Sequence, residues 1–293
     1  MPDGQSISAP EAPAAAPAID TFGARRFGRV NWIGVWTLYK KEVQRFLKVA
    51  FQTVFAPIIT TMLYLTVFLV AFSGADRNPV MEGVMVPYAA FLPPGLMMMA
   101  ILSNAFQNAS SSLIIAKVQG SVVDILMPPL SPSELTAAFV AGAATRGLLV
   151  GAVTAVTIAL FMLTTGAGFS IANLAAIIYF ALMASLFLGA IGAIAGMWAE
   201  KFDQLALITN FVITPLTFLS GTFYSVNKEG LPDWVPALSQ FNPLFYLIDG
   251  FRYGFIGVAD APVLRGAVIS FLLTVATIAL TYFLFRRGYK LKA

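Results

Sequence analysis

Beyond residue 50 the chain alternates long apolar runs with short polar breaks. A helix needs about 20 apolar residues to cross a bilayer, and runs of that length predict six spans, at 50–73, 87–115, 136–164, 171–198, 204–222 and 263–285. Pro57, Pro93, Pro94 and Pro215 fall inside these runs or at their edges. Membrane helices tolerate proline where neighbouring groups satisfy the freed carbonyls. Ahead of the first run, residues 29–48 have the 3–4 residue period of an amphipathic helix. Trp32, Val35, Trp36, Tyr39, Val43, Phe46 and Leu47 form one face; Thr37, Lys40, Lys41, Gln44, Arg45 and Lys48 form the other. An aromatic face opposite a basic one suits a helix lying in the headgroup plane, and it also suits a helix packed on a partner subunit.

Two breaks between spans are more than plain loops. Residues 117–134 read as a short helix over 118–127, a stop at Pro128 and Pro129, and a new helix start at Ser131-Pro132-Ser133-Glu134. That last run is a capping box, with proline at the first helical position. A short helix held between two spans can be pushed by a partner and move both; an ordinary connecting loop has the same spacing. The second break, 222–262, is too apolar for a solvated loop, and Pro232, Pro236 and Pro243 cut it into pieces. It predicts short half-helices that re-enter the bilayer or cap the bundle, with Asp249 and Arg252 spaced to pair on one helical face. A belt of interfacial aromatics is the other reading.

Composition agrees with the pattern. The 293 residues are 58% hydrophobic and 11% charged, against about 25% charged in soluble domains, and the mean hydropathy is +0.81. The expected fold is an all-α integral membrane protein of six spans, with an interfacial helix before them and re-entrant helices before the last span. Residues 1–28, rich in Ala and Pro near their start, are expected to be a disordered tail. They lack the basic start and apolar core of a signal peptide, so no cleavage is expected.

Lysine and arginine placement orients the chain. Arg25, Arg26, Arg29, Lys40, Lys41, Arg45 and Lys48 precede the first span, and Arg286, Arg287, Lys290 and Lys292 follow or end the last. Both termini are therefore expected in the cytoplasm, which requires an even number of spans. Lys117 and Lys201 then lie in inner loops, leaving Arg77, Lys228 and Arg252 outside.

The chemistry of the chain is limited. It has no Cys and no His, so thiolate and imidazole metal sites and every nucleophile–His dyad are absent. It has no Gly-x-x-x-x-Gly-Lys-Ser/Thr phosphate loop. No ATP site or other cofactor is expected in this chain; if ATP is used, a partner binds it with Mg. The acids sit at span ends or in loops, which counts against an ion-coupled transporter. Arg146 is the one strong charge within a span, ~22 Å along its helix from the Ser131 cap at 1.5 Å per residue. It is expected to snorkel to the surface, or to pair with Glu200 or with amides. Asn104, Gln107, Asn108 and Ser111 supply such groups in a stripe on the second span. That stripe is either a polar lining for a substrate path or glue between helices.

The ordered set of motifs resembles the membrane permease of type-2 ABC exporters, in the branch that includes bacterial drug, polysaccharide and lipo-oligosaccharide exporters. The resemblance is carried by APII over 56–59, PYAAFLPPGL over 87–96, GSVVDILMPPLS over 120–131, Arg146-Gly147, SGTFYS over 220–225, NPLFY over 242–246 and FRYGF over 251–255. It covers residues 30–290. It implies a permease domain over 49–293, two permease subunits and two ATPase subunits in a bacterial inner membrane, and efflux of an amphiphilic drug, lipid or glycan substrate. It also implies that the 117–134 loop is the coupling helix docking on the ATPase, through Gly120, Ser121, Val122, Val123, Asp124, Ile125, Leu126, Pro129, Leu130, Ser131 and Glu134. The first and fifth spans would form the dimer seam and substrate path. Tyr224, Asn242, Pro243, Asp249, Arg252 and Tyr253 would belong to an outer gate over 223–262. The alternatives from other classes are an ion-coupled transporter or channel, an integral membrane transferase or hydrolase, and a scaffold subunit without transport.

Overall fold

The computed structural model describes residues 30–72, 78–81, 83–164, 170–226 and 234–291. The tail expected over 1–28 and the loop charges Asp76, Arg77, Glu82, Lys228, Glu229 and Asp233 lie outside these residues. From residue 31 on, six helices are long and apolar enough to cross a membrane: Phe51–Ala71, Tyr88–Val118, Pro132–Thr164, Leu174–Trp198, Phe202–Thr222 and Val263–Arg287. They are the six expected spans, with ends shifted by a few residues. The amphipathic helix runs from Trp32 to Leu47, and two short helices, Trp234–Phe241 and Pro243–Ile256, precede the last span. The sequence pattern did not foresee a small hairpin between the first two spans, where Val80–Met81 pairs antiparallel with Val84–Met85.

The second span is the centre of the bundle. Phe91, Leu92, Met97, Met98, Leu102, Ala105, Phe106 and Ala109 are all buried, so it is enclosed along most of its length. Its polar stripe at Asn104, Asn108 and Ser112 cannot face lipid cheaply and is sheltered by the surrounding helices. Close approach is made possible by small residues on the fourth span. A Cβ on Gly192 would lie 2.4 Å from the carbonyl oxygen of Phe106, and one on Gly196 2.9 Å from that of Ser110. Between membrane helices, packing at such small-residue seams replaces the hydrophobic effect as the force of association. Gly192→Ala is therefore expected to cost roughly 1–3 kcal/mol, as overpacking against backbone does. Thermal unfolding followed by fluorescence-detected gel filtration checks this, and an unchanged melting temperature would contradict the seam.

The first and fifth spans are irregular in a related way. Each contains a π-helical turn just before a proline: Phe51–Phe55 ahead of Pro57, and Thr209–Ile213 ahead of Pro215. Proline has no N–H to donate, and threonine hydroxyls in or beside the π turns donate back to main-chain carbonyls. Thr53 Oγ1 donates to the Phe46 and Val49 carbonyls at 3.0 and 3.1 Å. Thr214 Oγ1 donates to the Thr209 carbonyl at 2.9 Å. The fifth span ends in a third π turn, where Ser220 and Gly221 leave helical geometry and Gly221 takes φ 73°.

Candidate functional site

The 117–134 loop has the expected parts with different boundaries. The second span continues through Val118, and the short helix covers only Val122–Leu126. The expected helix over 118–127 is thus corrected at both ends. Gly120 is the cause at the first: it takes φ 69°, a left-handed conformation that ends a helix. The Ser121 N–H then returns to the Ala116 carbonyl at 2.8 Å. Val123, Asp124, Leu126 and Met127 are exposed, and Ile125 is buried against the bundle. The loop therefore presents an apolar surface with one acid, anchored by Ile125.

The capping box forms, and it reaches further than its own helix. Glu134 accepts from the Ser131 N–H at 2.6 Å, while Ser131 Oγ accepts from the Glu134 N–H at 3.4 Å. The other Glu134 oxygen accepts from the Asn31 N–H at 2.5 Å. Asn31 caps the amphipathic helix through the Gly34 N–H at 2.9 Å and donates to the Pro129 carbonyl at 3.3 Å. Gly34 lies so close to Leu130 that an added Cβ would meet its Cδ2 at 2.6 Å. One carboxylate thus ties the starts of two helices to the short loop.

The amphipathic helix packs by a face of which the sequence pattern identified only Phe46. Leu38, Glu42 and Phe46 are buried, whereas Trp32, Trp36 and Leu47 are exposed beside the lysines. Arg45, expected on the polar face, turns inward. It donates to Ser111 Oγ at 3.1 Å, to the Asn108 carbonyl and side chain at 2.7 and 3.0 Å, and pairs with Glu42 at 3.2 Å. Glu42 also accepts from Ser112 Oγ at 2.7 Å. The physical reason is the polar stripe on the second span: it offers acceptors that the guanidinium can satisfy within the bundle. Glu42 and Arg45, three apart in the sequence, were the available signal for this pair.

Arg146 bonds to Asn104 Oδ1 at 3.1 Å, an amide partner as expected. It does not meet Glu200, which instead pairs with Lys290 at 2.8 Å. That hydrogen bond holds the Glu200 carboxyl below its usual range and raises the Lys290 ammonium. Lys117 reaches the same turn and donates to the Met197 and Ala199 carbonyls. Arg146, Asn104, Gln107 and Ser111 all line a cavity of about 720 Å³. The first span closes it with Thr60 and Tyr64, the fifth with Leu205 and Thr209, and Arg45 reaches it from the amphipathic helix. Both prolines' neighbouring π turns, through Gln52, Thr53 and Thr209, border this space. The stripe therefore serves both ends: Asn108 and Ser111 bind Arg45 and Asn104 binds Arg146, while Asn104, Gln107 and Ser111 also border the cavity.

On the opposite side of the bundle, the short helices before the last span are locked to the end of the fifth. Asn242 caps the Pro243 helix through the Leu244 N–H at 3.0 Å and donates to the Leu216 carbonyl at 2.7 Å and Ser220 Oγ at 2.8 Å. Arg252 is fully buried, donates to the Gly221 carbonyl at 2.6 Å and stacks 3.9 Å above the Phe91 ring. Asp249 sits 4.0 Å from Arg252 but makes its shorter bonds to the Asp260 and Ala261 N–H groups, at 2.8 and 3.0 Å. The pairing expected from their spacing is present, and the tighter contacts of both residues are to backbone. Tyr224 donates to the Leu219 carbonyl at 3.3 Å. Tyr253 lies half-buried, and its carbonyl receives the Gly257 N–H at the end of that helix.

Six apolar spans, a short helix between the second and third, a polar-lined cavity among the first, second and fifth, and half-helices locked to the end of the fifth describe a multi-pass membrane transport subunit. The chain belongs to the ABC-2 type transporter family, which it matches over residues 34–256. It is similar to the inner membrane transport permease YadH of Escherichia coli (strain K12), at 33% identity across 89% of this chain and 98% of that protein. It is also similar to nodulation protein J of Rhizobium leguminosarum bv. viciae, at 26% identity across 78% of this chain and 84% of that protein.

Proposed function

We propose that this chain is the permease subunit of an ATP-driven exporter in a bacterial inner membrane, carrying an amphiphilic substrate outward. The observation that carries this reading is the Val122–Leu126 helix. It is short, bounded by Gly120 and by Pro128 and Pro129, rooted by Ile125, and exposes Val123, Leu126 and Met127 to whatever lies beyond the bundle. Exposed apolar residues grouped on a rigid protrusion suit a partner's groove. The partner is an ATPase pair that holds ATP and Mg, and the membrane part is two copies of this chain. A second copy would cover exposed apolar side chains of the first and fifth spans, such as Leu63, Val67, Leu207 and Phe211. The family membership and the name of the Escherichia coli relative support the location, and the basic flanks of the spans support cytoplasmic termini.

In this mechanism, closure of the ATPase dimer pushes the Val122–Leu126 helix. The force enters the second and third spans directly and reaches the amphipathic helix through Glu134. The π turns of the first and fifth spans are where the cavity wall can bend, since such turns interrupt the regular hydrogen-bond ladder and recur at functional sites. Arg252 and Asn242 couple the fifth span to the half-helices, so Tyr224, Asn242, Pro243, Asp249, Arg252 and Tyr253 would move as one outer gate.

The test is a mild-detergent pull-down of tagged protein from its host membrane, with the eluate assayed for ATPase activity. Wild type is expected to retain an ATPase; variants scrambled over 120–127, or carrying Val123→Pro, are expected to lose it while eluting normally in gel filtration. A wild-type preparation without any ATPase, repeated in lipid nanodiscs, would turn the assignment toward an ion-coupled transporter or a membrane enzyme.

A further inference from the structure

We infer that the cavity between the first, second and fifth spans recognises its passenger by an anionic headgroup, held at Arg146. This deepens the exporter reading and rests on it for the direction of transport. Arg146 is only 8% exposed. It makes one hydrogen bond, to Asn104, and its Nε has no partner among the described residues. None of the ion pairs among those residues includes it. An arginine placed within a bilayer span is costly and is ordinarily paired. Five N–H donors in a planar fork also favour carboxylate and phosphate oxygens over any neutral acceptor.

The neighbouring charges leave this demand unmet. Arg45 reaches the same cavity, but Glu42 neutralises it at 3.2 Å, and Glu42 is further committed to Ser112. One net positive charge therefore remains, and it is Arg146. Ser103, Gln107 and Thr60 line the space near it with further polar groups, while Tyr64, Leu96 and Met99 provide an apolar wall. The volume of about 720 Å³ falls within the range of roughly 300–1,000 Å³ typical of small-molecule sites. A charged head completes the shell of Arg146, and an apolar tail lies along the wall. A cationic head would be repelled.

Native mass spectrometry of the full chain in dodecyl maltoside tests the inference, with equimolar oleoyl lysophosphatidic acid and oleoyl lysophosphatidylcholine as probes. The two share a tail and differ in headgroup charge. Wild type is expected to retain the anionic probe with a roughly tenfold preference, the ratio that one good charge contact supplies. Arg146→Gln is expected to abolish the preference, and Arg146→Lys to keep most of it. Thr60→Trp, at an exposed position of the cavity mouth, is expected to block retention with Arg146 intact, which keeps the test decisive if Arg146→Gln folds poorly. The double variant Arg286→Gln/Arg287→Gln, at the far end of the last span, is expected to behave as wild type. Equal retention of the probes by wild type overturns the inference, as does a preference that survives Arg146→Gln or Thr60→Trp, or one lost in the double variant. Retention of inorganic phosphate with no retention of either lipid probe also overturns it, because the site would then hold a free anion and no amphiphile. No ATPase takes part in this measurement. A missing preference alongside a retained ATPase therefore removes the substrate class and leaves the exporter reading intact.

Discussion

Arg252→Ala is expected to lower stability more than any other single change in this chain. The wild-type guanidinium is fully buried, bonded to the Gly221 carbonyl at 2.6 Å, stacked on Phe91 and facing Asp249 at 4.0 Å. Removing one member of a buried charge pair costs roughly 3–5 kcal/mol, because the other charge stays buried without its counter-ion. The Gly221 carbonyl, at the left-handed break that ends the fifth span, would lose its partner as well, at about 1–3 kcal/mol for an unsatisfied buried group. Asp249 keeps its bonds from the Asp260 and Ala261 N–H groups, so part of the cost is cushioned. Thermal unfolding in nanodiscs reads the effect. Arg252→Ala is expected to melt well below wild type, and Arg252→Met combined with Asp249→Asn is expected to recover part of the loss. A wild-type melting temperature in Arg252→Ala would mean that the half-helices are held by apolar packing alone.

Glu134→Ala is expected to release the amphipathic helix from the 117–134 loop. The substitution leaves two backbone N–H groups, of Ser131 and Asn31, without the carboxylate they share. A lost cap costs typically about 1 kcal/mol; the Asn31 N–H adds a buried unsatisfied donor at roughly 1–3 kcal/mol. Asn31 in turn caps the amphipathic helix and binds Pro129, so the Gly34–Leu130 contact is expected to open. The chain has no cysteine, and a single Leu38→Cys reporter on the buried face of the amphipathic helix therefore reads the opening without background and keeps the Gly34–Leu130 contact. Labelling by a membrane-impermeant maleimide on inverted vesicles is expected to accelerate roughly tenfold with Glu134→Ala, equivalent to about 1.4 kcal/mol of opening. Glu134→Gln, which keeps an acceptor oxygen, is expected to lie between. An unchanged rate would show that Gly34 and Leu130 hold the helix by shape alone, and the proposed route of force through Glu134 would fail with it.

Much of this protein was legible in its order of residues. Spans longer than 20 residues, the proline and glycine stops, and the capping box are local properties, decided by the cost of unsatisfied backbone in lipid and by the conformations open to each residue. The six spans, the Ser131–Glu134 box and the Asp249–Arg252 pairing followed from those rules. An amide was one of the partners open to Arg146, and Asn104 is the one it meets. The family motifs were present in order as well.

What only the tertiary structure decided is which side of each element meets which neighbour. By period alone the amphipathic helix has one aromatic face and one basic face. It buries Leu38, Glu42 and Phe46 because the second span offers Asn108, Ser111 and Ser112 as partners for a charged pair. A polar stripe looks uniform in the sequence. In the fold, Asn108 and Ser111 bind Arg45 and Asn104 binds Arg146, while Asn104, Gln107 and Ser111 also border a cavity closed by the first and fifth spans. Glu134 and Asn31 stand 103 positions apart, and no local rule connects them. Local sequence sets the conformation and the hydrophobic face of an element; the pairing of buried polar groups depends on surfaces distant in the chain, and those meet only once the bundle has formed.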